Sequence, residues 1–316
     1  MQPPSELRKI AFIGDYLPRK CGIATFTHDV CGAVSGVYPD LQCFVVPVND
    51  LEAGYEYPPE VRFEIQEQDI ETYQQAADFL NISNVDLVCV QHEFGIFGGP
   101  GGSHLLALLR ELKVPVVTTL HTILKNPDPT QRRVMEELIQ LSTRVVVMTQ
   151  LSQKLLQDVY KAPISKIDLI PHGIPDTPFV DPNFYKDQFG VEGKQVILTF
   201  GLLSPNKGME YMLDALPSVL KEFPNVAYII LGATHPHLIR TEGEKYRLSL
   251  ESLAKKHGVQ KNVIFYDRFV ELTELKEFIG ACDLYVTPYL NEAQIVSGTL
   301  AYAFGSGKVV VSTPFQ

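Results

Sequence analysis

The sequence predicts an α/β chain built as two doubly wound, parallel-sheet domains, and three observations carry that prediction. Short runs rich in Val, Ile and Leu alternate with amphipathic stretches almost from end to end, the pattern of strand and covering helix. The order strand, glycine, loop, glycine, helix occurs over Lys9–Val30 with Gly14 and Gly22, and again over Val196–Leu216 with Gly201 and Gly208. Between them lies Pro171-His172-Gly173-Ile174-Pro175-Asp176-Thr177-Pro178, a cluster of chain-breaking residues that reads as a boundary. The expected division is a first Rossmann-like domain over 1–175 and a second over 176–316.

In chain order, the first half offers strands at Ile10–Ile13, Cys43–Pro47, Leu87–Val90, Val116–Leu120, Val145–Met148 and Ile167–Ile170. The second half restarts with Val196–Phe200, Ala227–Leu231, Val263–Tyr266, Leu284–Thr287 and Val309–Ser312. These runs are nearly continuous in apolar residues, as strands covered on both faces must be. Met209–Glu222 and Tyr246–His257 show helical spacing. The second half stops just after its last strand, where another βα unit is expected, so its domain reads as incomplete with an apolar sheet edge uncovered. A ligand is expected in the cleft between the domains, at the carboxyl ends of both sheets.

Composition removes several classes of function. The 27 Lys and Arg against 37 Asp and Glu leave a net charge of −10, which argues against a nucleic-acid partner. No apolar run reaches the ~18 residues of a membrane span. The first residues, Met1 to Lys9, lack the apolar core of a secretory leader. The five cysteines, at 21, 31, 43, 89 and 282, follow no Cys-x-x-Cys pattern and read as buried free thiols of a cytoplasmic protein. The basic stretches Gln131–Arg133 and Lys255-Lys256 fall on predicted helices and read as solvated faces, with peripheral membrane contact as the alternative.

Two segments carry chemistry. Phe200–Gly208, Phe-Gly-Leu-Leu-Ser-Pro-Asn-Lys-Gly, follows a strand and opens a helix. Backbone N–H groups at such a helix start attract an anion, and Lys207 adds a full positive charge. It is not a Walker A loop, because the Lys precedes the Gly and no Gly-Lys-Ser/Thr is present there. The alternative is an ordinary βα turn with a solvated Lys. In the second segment, Thr287–Ser312, Glu292 follows a strand end, and Ser297-Gly298-Thr299 opens a helix of small and apolar residues. Small residues let a phosphate approach backbone N–H groups, and both hydroxyls donate. Glu292 reads either as a ligand for sugar hydroxyls or as a solvated loop acid.

Gly201–Gly208 with Lys207, the linker His172-Gly173-Ile174-Pro175, Asn291-Glu292 and Gly305–Thr313 together resemble the retaining family 4 glycosyltransferases (glycosyl transferases group 1), of GT-B fold. The resemblance implies transfer of a hexosyl group from a UDP- or GDP-sugar to a hydroxyl of a carbohydrate or glycoconjugate acceptor. It places Lys207 on the donor diphosphate and Glu292 on the donor sugar. It places the loop of Arg268 and Phe269 at the base, and Gly22 near the donor phosphates. His121, at the end of a strand, falls where the family sets a His against the donor sugar; by itself it reads equally as a strand-end His. His92 and Glu93, before a glycine-rich loop expected to be mobile on the acceptor side, read as an acceptor contact or as a structural pair.

The sequence departs from the family at two positions. Leu202 stands where an Arg is usual, and Arg19 or Lys20 is the candidate replacement cation. The second Glu of the family's Glu-x7-Glu pair is missing, its place taken by Leu300 or Tyr302 depending on the alignment. No Asp-x-Asp and no metal-ligand spacing occur, so metal-free, cofactor-free transfer is expected, with helix dipoles and Lys207 neutralising the leaving diphosphate. These departures keep two alternatives open: a retaining glycoside phosphorylase, and a sugar-nucleotide-binding subunit without activity of its own.

Overall fold

The structure is a computed structural model, and it describes residues 7–291 and 294–314. The chain forms two compact units, Met1–Pro171 and His172–Gln316. In the first, β1 (Lys9–Gly14), β2 (Gln42–Asn49), β3 (Ile65–Gln66), β4 (Leu87–His92), β5 (Val116–Leu120), β6 (Arg144–Val147) and β7 (Ile167–Leu169) form one sheet. Its order is β3-β2-β1-β4-β5-β6-β7, with parallel pairing throughout. In the second unit, β8 (Gln195–Phe200), β9 (Val226–Leu231), β10 (Val263–Tyr266), β11 (Leu284–Thr287) and β12 (Val309–Ser312) are parallel in the order β10-β9-β8-β11-β12.

Both sheets are doubly wound, and the winding reverses at one place in each. The reversal lies between β1 and β4 in the first unit and between β8 and β11 in the second. Connections leave these paired strands toward opposite faces, which opens a crevice at their carboxyl ends. The Gly22 loop and the His92 strand end therefore meet in one unit, and the Lys207 loop and the chain after Thr287 meet in the other.

Alternation along the strands builds the core of the second unit. Ile197 of β8 with Tyr228 and Ile230 of β9 packs on one face against Leu213, Leu216 and Leu250. Val196, Leu198 and Phe200 with Ile229 and Leu231 pack on the other against Phe278 and Tyr285. Successive side chains point to opposite faces, so continuous apolar runs are what a sheet covered by helices on both sides requires.

Several expectations need correction. The two-residue strand β3 was not expected; it pairs only Val48 with Ile65 and Asn49 with Gln66, too short to show any periodicity. Cys31 and Cys282 are buried, but Cys21, Cys43 and Cys89 are only half-buried, and all are free thiols. The glycine-rich loop after β4 is packed down, with Ile96 and Phe97 buried. The Gly98 N–H donates to the Tyr73 hydroxyl at 3.1 Å. A Cβ on Gly98 would lie 1.8 Å from the Glu67 carbonyl oxygen. Gly98 serves close approach rather than mobility. At the sheet edge, Val309 and Val311 of β12 are exposed. Among the described residues, no helix is long and apolar enough to cross a membrane.

Candidate functional site

In the second unit, two loops are zipped together at the β8–β11 crevice. Leu290 N–H donates to the Asn206 carbonyl at 3.0 Å. Gly208 has φ +62° and caps the helix Met209–Glu222. A Cβ there would lie 2.1 Å from the Pro288 carbonyl oxygen. Only glycine satisfies both the left-handed backbone and this contact. The union sets the Lys207 ammonium 3.8 Å from the centroid of the Tyr289 ring.

The Tyr289 hydroxyl is 2.7 Å from Thr299 Oγ1, which is 3.1 Å from Ser297 Oγ. Ser297 caps the helix Gly298–Gly305, accepting from Leu300 N–H at 3.3 Å. Gly201 also leans on this helix start: a Cβ there would be 3.3 Å from Thr299 Cγ2. His172 closes the other side, with Nε2 3.1 Å from where a Cβ of Gly298 would stand. Its Nδ1 donates to the Gly173 carbonyl at 2.7 Å. The structure thus gathers Lys207, Ser297, Gly298 and Thr299, and adds Tyr289 and His172. A cation, hydroxyls and a helix N-terminus together form a positive, donor-rich surface suited to an anion.

Burial pushes the Tyr289 phenol up, but the Lys207 charge and the hydroxyls around it more than reverse this, and the net direction is down. Leu300 and Tyr302, the candidates for the missing second Glu, are partly buried against the apolar core instead. Tyr302 lies beside His172, ring centroids 6.5 Å apart. Arg268 is exposed and ion-paired with Glu274, and Phe269 is half-buried. Glu292 lies outside the described residues.

In the first unit, Gly22 starts the helix Gly22–Val37, whose N-cap is Cys21. Among the described residues, nothing beyond its chain neighbours and its own helix backbone stands within 4 Å of where a Gly22 side chain would project, so this helix start is open. The Cys21 thiol accepts from Ala24 N–H and donates to Asp15 Oδ2 at 3.0 Å. Asp15 is 0% exposed and receives Arg19 Nη1 at 2.8 Å. Burial pushes its carboxyl up to about 7, outweighing the opposing Arg19 charge. Arg19 also reaches the Val48 carbonyl and Asp50. It is thus committed to fixing the loop, which corrects its assignment as a replacement cation; Lys20 is exposed.

His121 follows β5. Its Nε2 donates to Gln91 Oε1 at 3.1 Å, its N–H to the His92 carbonyl at 3.0 Å, and its ring meets Phe26 edge-on at 4.7 Å. Phe26 belongs to the Gly22 helix, so His121 and Gly22 share one end of the sheet. His92 corrects expectation. It is 0% exposed, stacked on Phe97 and edge-on to Phe94, with no hydrogen-bond partner for either ring nitrogen among the described residues. Burial lowers its pKa to about 4. It supports the loop from beneath and is not presented to an acceptor. Glu93 is not its partner: it accepts from Phe94 N–H at 2.9 Å and from the Thr122 hydroxyl at 2.6 Å, and burial pushes its carboxyl up. Among the described residues, no group of three or more His, Cys, Asp or Glu is placed to hold a metal ion.

Tyr289, His172 and Gln91 were not assigned from sequence. Tyr289 had one available signal, an aromatic residue just beyond a strand end. The contacts of His172 and Gln91 depend on tertiary placement alone.

Comparison with known proteins gives the same picture for both units. The family model described as "Glycosyl transferases group 1" matches residues 182–314, and that described as "Glycosyltransferase Family 4" matches residues 40–177. The D-inositol 3-phosphate glycosyltransferase of Segniliparus rotundus is 29% identical over 196 residues, covering 58% of this chain and 42% of that protein. The chain spans about half the length of the curated relatives it matches. Among solved structures, Anabaena Alr3699/HepE in complex with UDP aligns with a TM-score of 0.69 at 19% identity, covering 96% of this chain and 80% of that one. The sucrose-phosphate synthase of Thermosynechococcus elongatus aligns with a TM-score of 0.75 at 16% identity, covering 96% and 81%. These structural likenesses concern the GT-B fold.

Proposed function

Because the chain belongs to the group 1 glycosyl transferases of family 4, we propose that it transfers a hexosyl group from a UDP- or GDP-sugar to an acceptor hydroxyl, with retention and without metal or cofactor. The observation that carries this reading is the cluster at the β8–β11 crevice. Lys207 is held 3.8 Å from the Tyr289 ring beside the hydroxyls and N-terminus of the helix Gly298–Gly305. Lys207 and that helix start take the diphosphate; the helix dipole and the ammonium stabilise the charge that develops as the glycosidic bond breaks. Ser297 and Thr299 orient the phosphate oxygens, with Gly298 beside them at the helix start.

Glu292 is assigned to the donor sugar, and the Arg268–Phe269 loop to the base. In the first unit we assign the open helix start at Gly22 to the donor phosphates and His121 to the donor sugar. The acceptor is a carbohydrate or glycoconjugate, and the site of action is cytoplasmic. Glu292→Ala should lower turnover; a wild-type rate would remove Glu292 from the site.

The test is a melting-temperature panel with UDP, GDP, ADP and inorganic phosphate. A ligand that binds only the native state raises its stability with RT ln(1 + [L]/Kd). UDP or GDP should raise the midpoint, with phosphate alone ineffective. A response to phosphate alone, with phosphate-dependent cleavage of a disaccharide, would replace this reading by a phosphorylase. No response to any of the four would overturn it.

A further inference from the structure

We propose that Tyr289 is a positioning residue of the donor site, its ring seating the Lys207 ammonium and its hydroxyl aligning Thr299. The proposal rests on the donor reading above. Three observations support it. The ring is 3% exposed, so Lys207 meets a desolvated aromatic face, where cation–π attraction is strongest. Its hydroxyl lies 2.7 Å from Thr299 Oγ1, and that oxygen is 3.1 Å from the N-cap oxygen of Ser297. The backbone is held as well: the Tyr289 carbonyl accepts from Thr313 Oγ1 at 2.6 Å, and Thr313 N–H reaches the Thr287 carbonyl at 3.2 Å. One residue therefore joins the strand β12 side, the Lys207 loop and the hydroxyls at the helix start.

A free lysine has a long, flexible stem, and ordering it on an anion costs conformational entropy. A lysine already seated on a buried ring has lost much of that freedom before the ligand arrives. Lys207 is the one charged residue of the segment Phe200–Gly208, so this loop depends on one well-placed cation.

The experiment measures UDP and GDP affinity by calorimetry for the wild type, Tyr289→Phe, Tyr289→Leu, Lys207→Ala and the double variant K207A/Y289L. Losing the ring contact should weaken nucleotide binding about tenfold in Y289L. Y289F keeps the ring and should lose less than about threefold, the scale of one neutral hydrogen bond. Positioning through Lys207 predicts that Y289L adds little once Lys207 is gone, whereas general loosening of the fold would add its full loss.

Wild-type affinity in Y289L with weakened K207A overturns the proposal and leaves the donor reading intact. So do additive losses in the double variant. Affinity unchanged in K207A, or no nucleotide binding by the wild type, removes both. Should Y289L not fold, Y289F decides: a loss equal to that of K207A overturns the role of the ring.

Discussion

His92 makes stability depend on pH in a way that can be worked out and isolated. Its ring is fully buried between Phe94 and Phe97, and its pKa falls from the ordinary 6.5 to about 4. The unfolded chain therefore binds a proton that the folded chain refuses between these values. The contribution is present above the unfolded pKa and is lost as pH falls toward about 4. The full span is about 3 kcal/mol, of which about 2 kcal/mol falls between pH 7 and pH 5. Asp15 works against it. Its folded pKa is raised to about 7, so its contribution is present at low pH and lost as pH rises through 7. The wild-type profile mixes both, but the difference between wild type and His92→Leu cancels Asp15. At pH 8 Leu should cost at most about 1 kcal/mol, since neither ring nitrogen has a partner to lose among the described residues. Toward pH 5 the wild type should fall by about 2 kcal/mol relative to the variant. Urea unfolding followed by far-UV circular dichroism measures this; the chain has no Trp to report by fluorescence. A difference that stays flat from pH 8 to pH 5 would refute the burial of a neutral His92.

Two further predictions concern the second unit. Gly208→Ala must place a side chain 2.1 Å from the Pro288 carbonyl at φ +62°, so the two loops must part; the backbone alone costs roughly 1–2 kcal/mol. A lowered urea midpoint with weakened UDP or GDP binding is expected, and an unchanged midpoint would contradict the close contact. Ser297→Ala removes the N-cap of the helix Gly298–Gly305 and should cost about 1 kcal/mol. Gly at the same position should cost only a few tenths of a kcal/mol, and equal losses in the two variants would rule out a capping role.

Fold and site were not equally legible. Strands such as Val263–Tyr266 and Leu284–Thr287 are bounded in the structure where their apolar runs begin and end, because a strand buried on both faces tolerates almost nothing polar. The helix Met209–Glu222 was legible for a related reason, its apolar stripe repeating at helical spacing. β3 was not, since two residues carry no period. The glycines at 98 and 208 signalled special backbone, but whether a glycine gives freedom or permits contact depends on what approaches it, and only tertiary structure supplies the Glu67 and Pro288 carbonyls. Charges were misread in the same way. Arg19 reads as an available cation until Asp15, buried beneath it, is seen to hold it.

The central claim is that Lys207, seated on Tyr289 at the start of the second unit's helices, binds the diphosphate of a nucleotide-sugar. Its most direct test is the calorimetric affinity of the wild type and Lys207→Ala for UDP and GDP, measured at low and moderate salt. A fully charged hydrogen bond to phosphate is worth about 1.5–3 kcal/mol. The account predicts a loss of at least about tenfold for the nucleotide that binds, larger at low salt because screening weakens the contact. Equal affinity of the two proteins, with the variant still folded, would contradict it.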